Sequence, residues 1–180
     1  LVRMHALLTS ERVEYADHAK LMTAIAEQAS EERATLLGLA EQDAAAYTEV
    51  LAALGLPQES AAEQDARRTA LDAALRGACD VPLRVMERCL EVIAMAKTVV
   101  QHGFSGAAAD GAAGAELARA GLRIASYNVK ANLTLLEDAD YAHQARARID
   151  EIEYMGVAAA TEVDSRVNDL WSRTPATPGS

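Results

Sequence analysis

Apolar residues recur at helical spacing over most of the chain. The clearest stretch is 36–54, where Ala, Leu, Glu and Gln dominate and no proline occurs. This composition and this period predict a helix. Its apolar residues fall on one side of a helical wheel, which we expect to be buried. They are Leu36, Leu39, Ala40, Ala44, Tyr47, Val50, Leu51 and Leu54.

The same period extends on both sides of this stretch, and no segment alternates β-branched and polar residues as a strand would. A short apolar helical segment is predicted over 1–8. Longer helices are predicted from about 10 to 54, from 60 to 101, over 111–136 and over 141–171. The sequence therefore predicts an all-α fold, an elongated antiparallel bundle of about five helices, two or three of them long.

Four residues mark helix ends or defects. Ser60 and Glu63 fit the S-x-x-E capping box at the start of a helix. Pro82 falls in the middle of the same helix and has no backbone N–H. We therefore expect a kink or break there and a free carbonyl near Ala78. Asp138 is the candidate N-cap of the last helix.

Asp43 lies inside the apolar face predicted for 36–54. A carboxylate on a buried face costs free energy unless it is paired, hydrogen-bonded or protonated. Burial would favour its protonated form, so that it could give and take protons near neutral pH as a general acid/base does. The alternative interpretation is an aspartate that caps or bridges to a neighbouring helix.

Three polar residues in the second half of the chain are candidates for a site. The segment 102–114 holds four of the ten glycines and is predicted to be a loop, although it has neither GxGxxG nor GxxxxGK. Asp110 lies within this segment and is either a cap of the next helix or a functional residue. Asn128 and Asn132 lie one turn apart in that helix. They either bind each other and a neighbouring backbone or point into a polar pocket.

Composition narrows the classes of partner. The 51% hydrophobic fraction comes largely from alanine, whose small side chain lets helices pack closely, and the length fits one domain. A net charge of −10 argues against nucleic acid and anionic membranes, and no apolar run is long enough to span a bilayer. Cys79 and Cys89 are predicted to be buried free thiols, which favours the cytoplasm. The four histidines are scattered, so no metal site is expected.

Several ordered motifs together resemble a known family over residues 1–173. The motifs are LLTSERVEY at 7–15, EQDAAAYTEVLAALGLP at 41–57, DVPL at 80–83, the pair Gly103 and Asp110, and YNVKANLTLLED at 127–138. They are similar to the cyclodeaminase/cyclohydrolase family. Its members include the C-terminal domain of formiminotransferase-cyclodeaminase and bacterial methenyltetrahydrofolate cyclohydrolases.

The resemblance implies one-carbon chemistry on tetrahydrofolate. A cyclohydrolase interconverts 5,10-methenyltetrahydrofolate and 10-formyltetrahydrofolate, and a cyclodeaminase forms the methenyl compound from 5-formiminotetrahydrofolate with release of ammonia. The resemblance implies that Asp43 is the general acid/base and that a tetrahydrofolate derivative is the substrate. Helices of 30 residues or more, about 45 Å long, favour a homodimer packed along a shared bundle, and the chemistry that the resemblance implies needs no metal or tightly bound cofactor. The substrate-binding residues that the resemblance implies are Thr9, Arg12, Asp110, Asn128 and Asn132.

The chain also departs from the family pattern. The family's Gly-rich P-G-G-G-S loop is not found before Leu1, and TPATPGS at 174–180, which we expect to be a flexible tail, resembles the start of that loop. Gln58 replaces a lysine, Phe104 an asparagine and Ala109 a serine. The alternative function is therefore a diverged member of the family, either a cyclase acting on a non-folate substrate or a non-catalytic scaffold.

Overall fold

The computed structural model describes residues 1–172, and within them it contains five α-helices, two short 3-10 helices and no strand. The α-helices are α1 (Val2–Ser10), α2 (Ala19–Leu54), α3 (Ala61–His102), α4 (Ala108–Asn132) and α5 (Ala139–Ser172). The 3-10 helices are Val13–His18 and Ser105–Ala107. The predicted all-α fold with several long helices is confirmed. The TPATPGS segment lies outside the described residues.

The chain forms two compact units, and each of the four long helices contributes residues to both. The first unit consists of Leu1–Arg33, Cys89–Ala120 and Tyr154–Ser180, of which 173–180 are not described. The second consists of Ala34–Arg88 and Gly121–Glu153. In the first unit, α1 and parts of α2, α3, α4 and α5 enclose a core that includes Met22, Ile93, Val99 and Val163. Each unit is thus a small helical bundle with its own buried side chains.

Helix starts follow the predicted capping chemistry. The backbone N–H of Ser60 donates to Glu63 Oε2 at 2.8 Å, and the N–H of Glu63 donates to Ser60 Oγ at 3.3 Å. These bonds to Ser60 hold the pKa of Glu63 below its ordinary value. At α5, the N–H of Tyr141 donates to Asp138 Oδ1 at 2.9 Å, and Asp138 also pairs with Arg76. Both predicted caps are confirmed.

Two predicted boundaries are wrong. The helix predicted from about residue 10 does not begin there, because α1 continues through Thr9 and Ser10, whose hydroxyls donate back to the carbonyls of His5 and Leu7. Helix α4 begins at Ala108, so the glycine-rich loop is much shorter than 102–114. Asp110 therefore lies in the first turn of α4, where a negative charge suits the helix dipole, rather than before the helix.

Helix α2 buries a face in the second unit that only partly coincides with the one predicted, since Leu39 and Val50 lie on both. Its buried residues Leu39, Ala46, Val50 and Ala53 pack with Ala74, Leu75, Ala78 and Val81 of α3. The two helices are antiparallel, since Arg67 of α3 donates to the carbonyl of Leu54 while Arg84 donates to Gln42. Alanine on both helices allows this close packing.

Most of the face predicted to be buried is exposed. The exposed residues recur every three or four positions along α2 and form what we call the outer stripe: Leu37, Ala40, Ala44, Tyr47, Leu51 and Leu54. Tyr47 is 63% exposed and Leu51 49%. Helix α2 thus carries two apolar faces, and its sequence alone does not separate them because together they cover more than half of the helical wheel. On α4, Leu117 and Ile124 are likewise exposed.

The two cysteines are free and buried, as predicted. Burial raises the pKa of the Cys79 thiol to about 12 and that of the Cys89 thiol to about 11. Both thiols therefore stay protonated, and the Sγ of Cys79 lies 4.0 Å from the carbonyl oxygen of Val129. Neither residue has the thiolate character that a reactive cysteine needs.

Pro82 does not break α3, which continues from Ala61 to His102. The carbonyl that the proline leaves without its helical donor is that of Ala78, and Asn132 Nδ2 donates to this oxygen at 2.8 Å. The free carbonyl expected near Ala78 therefore has a specific partner. Of the two uses foreseen for the asparagine pair, Asn132 follows the first, a bond to a neighbouring backbone.

Replacing Asn132 with alanine should lower the free energy of unfolding by about 1–3 kcal/mol, because the buried Ala78 carbonyl loses its donor. The matched control is Asn128→Ala, an exposed asparagine on the same helix, which should change stability by less than about 0.5 kcal/mol. Urea denaturation measures both.

The double variant Pro82→Ala/Asn132→Ala should recover much of the loss, since residue 82 then has an N–H for the Ala78 carbonyl. Strictly additive effects of the two substitutions would contradict this explanation.

Candidate functional site

Asp43 is exposed on α2 in the second unit. The predicted burial of this side chain is wrong, because the face that carries it is only partly covered by α3. The alternative of a bridging aspartate does not hold either, since its carboxylate forms no hydrogen bond or ion pair with residues 1–172. Asp43 is thus an open carboxylate at the border between the core-facing residues Leu39 and Ala46 and the outer stripe residues Ala40 and Tyr47.

Polar contacts join α3 to α5 elsewhere in the second unit. Tyr141 Oη donates to Asp80 Oδ1 at 2.6 Å, and Arg148 of α5 donates to Glu87 of α3 at 3.0 Å. Burial, followed by the bond to Asp80, raises the pKa of the Tyr141 phenol well above its ordinary value, so Tyr141 remains a proton donor. A cavity of about 190 Å³ lies beside Asp80 and Tyr141.

These contacts between helices were not predicted from the sequence. Asp80 begins the DVPL motif, which could have signalled it, whereas Tyr141 had no such signal. Next to Asp43, Gln42 accepts a hydrogen bond from Arg84 at 2.9 Å. Asn128, by contrast, is exposed and forms no hydrogen bond within the described chain.

Thr9 and Arg12 meet Phe104 in the first unit. Thr9 is fully buried, donates to the His5 carbonyl at 2.9 Å and accepts from the N–H of Phe104 at 2.9 Å. Its hydroxyl therefore joins α1 to the segment after α3. The guanidinium carbon of Arg12 lies 3.5 Å from the centre of the Phe104 ring, a cation–π contact. This contact places the guanidinium over the face of the ring.

His5 is a buried titratable residue that our sequence analysis did not single out. It is fully buried, and neither ring nitrogen has a hydrogen-bond partner among the described residues. A Cβ added at Gly103 would lie 2.7 Å from its Nε2, and one added at Gly111 would lie 2.9 Å from its Nδ1. Burial lowers the pKa of His5, and the Phe104 backbone and the Asp110 carboxylate only partly oppose that effect.

The lowered pKa of His5 predicts loss of stability in acid. Above about pH 6.5 the imidazole is neutral in both states, but below it the unfolded chain takes up a proton that the folded chain resists. The free energy of unfolding should therefore fall from pH 7 downwards, by at most about 1.4 kcal/mol per pH unit from this group. Denaturation between pH 5.5 and 7.5 measures it.

His5→Leu should flatten this pH dependence, whereas His143→Leu, a change at an exposed histidine, should leave it intact. Parallel pH curves for wild type and His5→Leu would rule out His5 as the cause.

The structure thus places the predicted site residues in two groups. Thr9, Arg12 and Asp110 belong to the first unit, while Asp43, Asn128 and Asn132 belong to the second. Within residues 1–172, no three His, Cys, Asp or Glu side chains are arranged to hold a metal ion. No helix in this range combines the length and apolar character needed to cross a membrane.

The fold and these residues define an all-α protein built from long helices that carry an open carboxylate. The sequence profile described as formiminotransferase-cyclodeaminase matches residues 1–151. The chain therefore belongs to the cyclodeaminase/cyclohydrolase family, as the resemblance of its motifs predicted.

Two curated relatives support this membership. Methenyltetrahydrofolate cyclohydrolase of Methylorubrum extorquens is 32% identical over 167 residues, which cover 93% of this chain and 78% of the relative. Formimidoyltransferase-cyclodeaminase of Rattus norvegicus is 30% identical over 119 residues, or 66% of this chain and 22% of that protein.

A solved structure supports the fold. Formiminotetrahydrofolate cyclodeaminase of Thermotoga maritima superimposes with a TM-score of 0.84, covering 94% of this chain and 81% of that one, at 24% identity.

Proposed function

We propose that this protein acts at the one-carbon bridge of tetrahydrofolate, with Asp43 as its general acid/base. The reaction is either the interconversion of 5,10-methenyltetrahydrofolate and 10-formyltetrahydrofolate or the formation of the methenyl compound from 5-formiminotetrahydrofolate with release of ammonia. The single observation that carries this proposal is the 32% identity to a methenyltetrahydrofolate cyclohydrolase over 93% of the chain. That relative favours the cyclohydrolase reaction.

The state of Asp43 is consistent with proton transfer. Water adds to the methenyl carbon and a ring nitrogen leaves, so one group must take a proton from water and give one to nitrogen. A carboxylate engaged in an ion pair would have to break it first. Asp43 is exposed and has no such partner within residues 1–172.

Arg12 supports an anionic substrate such as a folate, which carries carboxylates on its glutamate. Its guanidinium is oriented by Phe104 and forms no ion pair with the described residues. Its N–H edge can therefore donate to a carboxylate. Asp110, Asn128 and Asn132 remain proposed substrate-binding residues. For Asn132 this leaves the amide oxygen as the available group, because its Nδ2 donates to Ala78.

Asp43→Asn should lower kcat for methenyltetrahydrofolate hydrolysis by about 100-fold or more while preserving the helical circular dichroism, because the amide cannot exchange the proton. The loss of methenyl absorbance measures the rate. Glu49→Gln, which neutralises another exposed acid of α2, is the control and should retain wild-type turnover.

Turnover of Asp43→Asn within about threefold of wild type would eliminate Asp43 as the acid/base, given the effect expected of such a group. If the wild type neither binds tetrahydrofolates nor turns over either substrate, the alternative of a non-folate cyclase or scaffold takes the place of this proposal.

We also propose that the functional form is a homodimer packed through the outer stripe of α2. Exposed apolar residues at regular helical spacing are suited to another helix, and symmetric pairing of two identical chains is the commonest assembly. Asp43 lies at the edge of this stripe. A second copy would therefore exclude water around its carboxylate and provide the partial burial that a general acid/base uses.

Leu51→Asp should dissociate the dimer, because it places a charge within the outer stripe. Ala45→Asp introduces the same charge at an exposed position of α2 outside the stripe and should leave the dimer intact. Size-exclusion chromatography with light scattering measures the mass. A monomeric wild type, or a Leu51→Asp variant with the wild-type mass, would refute this interface.

A further inference from the structure

A polar groove in the first unit lies apart from all the residues assigned above. It has a volume of about 430 Å³ and is lined by Lys97, Gln101 and His102 at the end of α3 and by Glu162, Val163 and Arg166 of α5. This volume suits a small molecule. Only one of the six lining side chains is apolar, so hydrogen bonds and charge, rather than hydrophobic contact, would select an occupant.

The charges of the groove do not cancel. Lys97 forms an ion pair with Glu162, so these two charges neutralise each other. Arg166 forms no hydrogen bond or ion pair within the described chain. Its cationic guanidinium therefore gives the groove a net positive charge, although the chain as a whole carries −10.

The Nε atom of Arg166 also lacks a hydrogen-bond partner among the described residues. It is buried and has no hydrogen-bond acceptor among residues 1–172. A buried N–H without a partner is costly, and such groups in native proteins call for an explanation. Because Nε is buried, an anion in the groove would bind the terminal nitrogens of the guanidinium, and a carboxylate or phosphate has the two oxygens that match such an edge.

Gln101 and His102 add uncharged hydrogen-bonding groups beside the arginine. The His102 ring also lies against that of His18, with 5.2 Å between the ring centres, which limits its movement. A fixed imidazole and a carboxamide can donate to the remaining oxygens of a tetrahedral or planar anion.

We propose that this groove binds the carboxylate or phosphate group of a small metabolite, with Arg166 as its principal cation. Lys97 assists when its pair with Glu162 opens, and Gln101 and His102 complete the donor set. The proposal does not rest on the folate reaction, because none of these residues is assigned to it.

Calorimetric titration of the full chain with inorganic phosphate, and separately with glutarate, tests the proposal at constant ionic strength set by NaCl. We expect saturable binding of one of them, and the one that binds identifies the group. Arg166→Gln should weaken it by about tenfold or more, since the bidentate charge-assisted bonds are lost. Arg146→Gln, a change at an exposed arginine of the same helix, should stay within about twofold, as expected for screened surface charge.

Glu162→Gln should change the affinity in the opposite direction from Arg166→Gln. This second test does not require that the arginine variant folds. It removes the carboxylate that competes for Lys97 and should therefore tighten binding. The proposal is overturned if neither probe binds saturably to the wild type, if Arg166→Gln and Arg146→Gln weaken binding equally, or if Glu162→Gln weakens it.

Discussion

The second unit depends on how the chain satisfies one backbone carbonyl. Pro82 removes the N–H that would bind the oxygen of Ala78, and a buried carbonyl without a donor costs a substantial part of the stability of a small bundle. Asn132 Nδ2 supplies the donor from the last turn of α4. This bond fixes the rotation and the height of α4 against α3, at the level where α2 contributes its alanine-rich core face.

Polar contacts extend this registration to α5. Arg76 with Asp138, Tyr141 with Asp80 and Arg148 with Glu87 pair residues whose numbers rise together along α3 and α5, so the two helices are parallel in the second unit. The arginine pairs are largely exposed and contribute little stability individually. They specify direction and register, which the short alanine side chains of the core do not.

The alanine content has a further consequence for α2. Because alanine is compatible with both a core and an exposed surface, this helix has an apolar face toward α3 and a second one, the outer stripe, that the single chain leaves uncovered. Asp43 lies between them. The catalytic proposal and the dimer proposal therefore concern the same few turns of one helix, and a carboxylate that is open in one chain would be enclosed in a pair.

The sequence by itself determined the helices, the capping box at Ser60, the cap at Asp138, the free carbonyl near Ala78 and, through its ordered motifs, the family. These features follow from residues close together in the chain. Tertiary structure alone decided which face of α2 is buried, that Asn132 binds Ala78, that His5 is fully buried, and that Arg166 lines a groove. Helical periodicity gives the direction of a side chain around its own helix, but its neighbours depend on the packing of segments distant in sequence.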